Sequence, residues 1–169
     1  MTYDWPLYFC LFLALWSAVI GGVFSAFSEF VMSALLKTAP ASGIEAMQKI
    51  NRDVIKTQFV AGIFSIALFS TLFAFYSFNV FEGAALATLA LAPLVYLPSV
   101  FFMTLFGNVP MNNKLDNLDH TTAQAEAYWL EYERKWTRLN HFRSIGSVIT
   151  AGLYIIAAIT LITSGQVQS

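Results

Sequence analysis

The residues best suited to chemistry fall in two polar blocks that interrupt hydrophobic sequence. Trp136-Thr137-Arg138-Leu139-Asn140-His141-Phe142-Arg143 runs into the last apolar segment, and Gly107-Asn108-Val109-Pro110-Met111-Asn112-Asn113 leaves the one before it. Such groups are costly to desolvate at a membrane boundary, and chains avoid them there unless they pair or act on something. Imidazole and carboxyl groups move protons; amides and guanidinium donate to developing negative charge; an indole stacks on flat rings. Glu29 adds an acid well inside an apolar segment, the only one so placed.

The elements that must position these residues are membrane helices. Hydrophobic residues make up 57% of the 169-residue chain and charged residues 11%, with sixteen Phe and a mean hydropathy of +0.63. An ordinary soluble domain has about 25% charged residues. The length suits one domain, 1–169. Cys10, the single cysteine, lies in an apolar run, which excludes a disulfide framework or a cysteine metal site. The net charge of −1 gives no reason to expect a nucleic-acid partner. No Lys or Arg precedes the first apolar segment, so it is expected to be a retained span and not a secretory leader.

Four spans are predicted, at about 5–36, 59–78, 83–106 and 145–162, each near or above the ~20 apolar residues that cross a bilayer. All nine basic residues lie between spans one and two or between three and four, the last of them, Arg143, at the start of span four. The positive-inside rule then makes segments 37–58 and 107–143 cytoplasmic and both termini external, in a plasma or bacterial inner membrane. Ser42-Gly43-Ile44-Glu45 has capping-box spacing, so helix two is expected to start near Gly43 and enter the membrane already formed. Asp119 or Thr121 is expected to cap a helix running unbroken through Tyr128, Trp136 and His141 into span four. Pro93 and Pro98 should bend span three, and Pro110 should end or bend it again. The fold class is an all-α membrane protein, a four-helix bundle with helical extensions on the cytoplasmic side.

Helical spacing assigns faces. Trp129, Glu133, Trp136, Asn140, Arg143 and Ser147 share one face, while His141 sits about 100° from Asn140 and borders a pocket from elsewhere. Ala18, Gly22, Ser25, Glu29 and Ser33 form a small and polar stripe on span one. Asn51 shares a face with Gln58, and Asn108 with Asn112 if helix continues there. Glu29, Asn51, Asn108, Asn112, Asn140, His141 and Arg143 all lie near cytoplasmic helix ends, where a bundle brings them around a cavity. Each has a plainer use: close packing for the stripe, an ion pair with Arg143 for Glu29, interfacial anchoring for Trp129 and Trp136, end capping for the asparagines. Two histidines without a His-x-x-x-His or Glu-x-x-His pair fall short of the usual metal ligand sets, and no glycine-rich phosphate loop or Ser/His/Asp arrangement is legible.

The chain resembles the DUF1772, or anthrone oxygenase, family of small multi-pass membrane proteins. The resemblance rests on Gly22-Val23-Phe24 through Phe30-Val31-Met32 with Ala34-Leu35, on Met47-Gln48-Lys49-Ile50-Asn51-Arg52, and on Asn108-Val109-Pro110-Met111-Asn112 with Trp136 to Arg143. Ser33 and Leu139 stand where the family often has a proline and an aromatic. The resemblance implies oxidation of an anthrone-like aromatic with molecular oxygen as co-substrate and no added cofactor. The chemistry requires a base, donors for an enolate oxygen, and a flat apolar slot. His141 is the first expected base, since imidazole chemistry suits proton abstraction at neutral pH, and Glu29 the second. Asn140 and Arg143, with Asn108 and Asn112, are the expected oxyanion donors. Asn51, Trp129 and Trp136 complete the expected substrate contacts. The expected partners are the bilayer and a hydrophobic small molecule, and a homo-oligomer is compatible with the sequence. The competing class is a non-enzymatic membrane protein that binds a lipid, quinone or partner subunit.

Overall fold

The computed structural model describes residues 5–165. Among these there is no strand, and five helices account for the fold: α1 (Trp5–Leu36), α2 (Pro40–Val54), α3 (Gln58–Ser77), α4 (Gly83–Asp116) and α5 (Ala123–Thr163). All but α2 are long and apolar enough to cross a membrane, so the protein is a multi-pass membrane protein. The expected spans fall within these helices, but two of the helices are much longer. α4 continues past Phe106 to Asp116, and α5 adds more than five turns before Ile145.

Three helix boundaries differ from expectation. α2 starts at Pro40, with Ala39 at the cap position and no side-chain cap bond, so Ser42 and Glu45 do not form a capping box. Proline at the first helical position fixes φ and gives up an N–H that had no partner there, which suffices to start the helix. α2 also ends at Val54, and a turn over Ile55, Lys56 and Thr57 separates it from α3, so the two are not one helix. That break takes Gln58 off the Asn51 face and leaves it exposed. α5 is capped by Thr122, whose Oγ1 accepts from Ala125 N at 3.3 Å. Asp119 instead accepts from the Thr121 backbone N–H and hydroxyl, which hold its carboxyl below the usual range.

The prolines of α4 widen the helix without ending it. π-helical turns occupy Leu97–Phe102 and Thr104–Asn108, and regular helix resumes at Val109 through Pro110. A third π turn covers Phe27–Val31 in α1. Such turns displace the backbone and shift the phase of the face that follows.

Two cores result. A membrane core joins α1, α3, α4 and α5 through Leu13, Ile20, Ile66, Leu89, Tyr154 and Leu161, among others. Here α5 packs closely on α1 and on α4: a Cβ on Gly21 would stand 3.2 Å from Ser147 Cβ, and one on Gly146 only 1.9 Å from Ser99 Oγ of α4. The packing stripe of α1 therefore passes through Ser17 and Gly21, whereas Ala18 and Gly22 are exposed. The physical reason is that α1 is apolar nearly all round, so its sequence does not select a face. A cap core gathers Met32, Ile44, Met47 and Leu115 around Trp129, Tyr132 and Trp136 of α5, whose rings stack in series.

Candidate ligand cavity

Between the two cores lies a cavity of about 190 Å³. Phe24, Phe27, Phe59, Ile63 and Leu105 give it apolar walls, and its polar lining includes Asn51, Asn108, Asn112, Asn140 and Arg143. Five of the expected polar residues, drawn from α2, α4 and α5, thus converge, and Trp136 forms part of the wall.

The polar groups are fixed mainly by bonds between helices. Asn140 is fully buried and donates through Nδ2 to Phe24 O at 2.6 Å and Ser28 Oγ at 2.7 Å. Its Oδ1 accepts from Arg143 Nη2. Arg143 is 5% exposed and donates weakly to Thr104 Oγ1 at 3.4 Å. Its guanidinium carbon lies 4.2 Å from the Phe24 ring centroid and 5.3 Å from that of Trp136. No carboxylate pairs with it among the described residues, and its Nε has no hydrogen-bond partner. Asn112 Oδ1 accepts from both Tyr132 Oη and Trp136 Nε1 at 2.8 Å. Asn108 Nδ2 donates to Trp136 O at 3.3 Å, while its buried Oδ1 is unpaired. Asn51 Nδ2 reaches Tyr132 Oη at 3.4 Å.

Three expected site residues lie elsewhere. His141 is exposed on the outer side of α5, because the residue after a centrally directed Asn140 must turn about 100° away. Glu29 is exposed, one position beyond the Ser28 that meets Asn140, and is not paired with Arg143. The expected convergence of these two with the asparagines is therefore corrected. Trp129 is buried against α2 in the cap core, stacked on Tyr132, so it is neither an interfacial anchor nor a cavity wall.

Other lining residues lie outside the expected set. Thr104 and Asp116 complete the Asn108–Asn112 face of α4 at helical spacing, and Arg52 follows Asn51 directly. Among the described residues no three of His, Cys, Asp or Glu come together in a group able to hold a metal ion.

No curated protein and no solved structure matches the chain. A family match does exist, over residues 53–163. It takes in α3, α4 and α5, and with them Asn108, Asn112, Trp136, Asn140 and Arg143, while the blocks from Gly22 to Leu35 and from Met47 to Arg52 precede it. With more than half of its length matched, the chain belongs to the anthrone oxygenase family.

Proposed function

We propose that the cavity binds a flat, hydrophobic aromatic ketone bearing an acidic ring methylene, as in an anthrone. We further propose that the protein oxidises it with molecular oxygen and without an organic cofactor. The observation that supports this is Arg143: a buried guanidinium with no carboxylate partner among the described residues, lying against two aromatic rings and braced by Asn140. A buried cation without a counter-ion is costly, and an anionic ligand would lower that cost. An enolate oxygen supplies the negative charge, and its ring system suits the Phe24, Phe27 and Trp136 walls.

The chemistry follows from that charge. Loss of a methylene proton gives an aromatic enolate whose oxygen rests on Arg143. The electron-rich ring carbon adds O2 and, with a proton, becomes a hydroperoxide. Loss of the remaining C–H proton, with cleavage of the O–O bond, releases hydroxide and leaves a second carbonyl. The sum is anthrone plus O2 giving anthraquinone plus water. Fixed donors that meet charge only as it develops are the strongest contribution a site of this kind makes.

Family membership, the phenylalanine walls and the absence of a Glu29–Arg143 pair favour this reading over a purely structural use of the polar cluster. The basic residues near the cavity end of the bundle favour a cytoplasmic position for it. The chain ends, expected outside, lie beyond the described residues. The deciding assay is oxygen uptake by purified protein given an anthrone. Arg143→Met should lower kcat/KM by about 10²–10³-fold. Its thermal midpoint should not fall, because an apolar chain of similar length removes an unpaired buried charge. No uptake by the unaltered protein, or full activity in Arg143→Met, would overturn the reading.

A further inference from the structure

Glu29 and His141 face away from the cavity, so the proposed reaction needs another proton acceptor. Among the described residues one carboxylate lines the cavity, Asp116, and no imidazole does. Asp116 stands one turn beyond Asn112, itself one turn beyond Asn108. The three follow one face of α4 from buried Asn108 to Asp116, whose part-exposed side chain marks the cavity mouth. Arg52 of α2 reaches across and donates from Nε to Asp116 Oδ1 at 2.7 Å. Only that oxygen is engaged, and Oδ2 has no partner among the described residues. A carboxylate with one oxygen held by Arg52 and the other free has the form of an oriented base.

The position fits the substrate chemistry as well. In a tricyclic ketone of this kind the acidic carbon lies across the middle ring from the carbonyl oxygen. The group that holds the oxygen and the group that takes the proton must therefore be different groups, the proton leaving over a face of the ring. Asn108, Asn112 and Asp116 follow one another at four-residue spacing on α4, so the donors and the carboxylate stand at different levels of one cavity wall. Arg143 lies near the inner end of that ladder, beside Thr104, and Asp116 at the outer end.

Resting on the oxygenase reading of the cavity, we propose that Asp116 is the general base and Arg52 the residue that positions it. The methylene C–H bond breaks and the proton passes to Asp116 Oδ2. The electron pair enters the ring system, and charge gathers on the carbonyl oxygen at Arg143. After O2 adds to the ring carbon, Asp116 returns its proton to the carbon-bound peroxide anion, giving the hydroperoxide. The Asp116 side chain is 35% exposed, so water can reset its protonation between turnovers.

The competing use of the pair is mechanical, an ion pair that closes the mouth. Deuterium exchange at the methylene of an anthrone without oxygen separates the two, because it needs the base and not O2. We expect Asp116→Asn to slow exchange by about 10²–10⁴-fold. Binding of anthraquinone, followed by quenching of tryptophan fluorescence, should persist and establish that the variant is folded. The double variant Arg52→Asp/Asp116→Arg keeps an ion pair at the mouth but should not restore exchange. Exchange at the ordinary rate in Asp116→Asn, recovery in the double variant, or no exchange in the unaltered protein would each overturn the assignment. Exchange without oxygen uptake would instead retain Asp116 as base and remove the oxygenase reading.

Discussion

The membrane core and the cavity level satisfy their polar groups in different ways. In the membrane core, hydroxyls mostly bond back to their own helix: Ser70 to Ala67 O, Ser77 to Ala74 O, Ser99 to Val95 O and Thr150 to Gly146 O. At the cavity, bonds run between helices: Asn140 to Phe24 O, Asn108 to Trp136 O, and Tyr132 and Trp136 to Asn112. A hydroxyl bonded to its own helix leaves neighbouring helices free to approach, and contact is then governed by side-chain size. An amide bonded to another helix fixes both partners, and a polar atom it leaves over is available to a ligand. The two regions thus divide packing from positioning.

Substitutions can break or sharpen that division. After the Arg143 and Asp116 variants, the largest effect is expected from Asn140→Leu. It removes donors to Phe24 and Ser28 and the acceptor for Arg143, so stability should fall by about 2 kcal/mol and oxygen uptake should be lost. Unfolding in detergent with a parallel uptake assay measures both, and preserved activity would mean that the cross-helix network does not position the site. Gly146→Ala tests the packing half. Its new methyl would meet Ser99 and should cost about 1–3 kcal/mol, and Ser99→Gly in the same chain should recover most of it. Failure of that rescue would remove size as the rule for the membrane core. Smallest of all should be Glu29→Gln and His141→Gln, with stability within about 0.5 kcal/mol and uptake unchanged. A large loss of uptake in either would show that the outward face takes part in the chemistry.

How far these regions were legible depended on how unusual each residue was for its surroundings. The α5 face was readable because Trp136, Asn140 and Arg143 are rare residues beside an apolar run, and their spacing admits one helical face. The α1 face was not, since Gly21 and Gly22, or Ser28 and Glu29, are adjacent alternatives that only the partner helix distinguishes. Asp116 had the same spacing signal as Asn108 and Asn112, but its partner Arg52 is 64 positions away, which no local pattern reports. The start of α2 misled because Ser42 and Glu45 mimic a capping box that Pro40 makes unnecessary. The π turns of α4 were legible only as proline-induced irregularity, because helix widening depends on what packs beside it.

α5 runs as a single 41-residue rod, close to 60 Å at 1.5 Å per residue and about twice the thickness of a hydrocarbon core. Trp136, Asn140 and Arg143 are therefore rungs of one shaft that is anchored by the bilayer at one end and clamped by the cap core at the other. Their relative bearings are set by the helix and cannot be tuned separately by loop rearrangement. A residue inserted between Trp136 and Asn140 would swing the cap by about 100° against the membrane segment and dismantle both. A change at this site that leaves both regions intact is therefore an exchange of side chains in place, with the spacing kept.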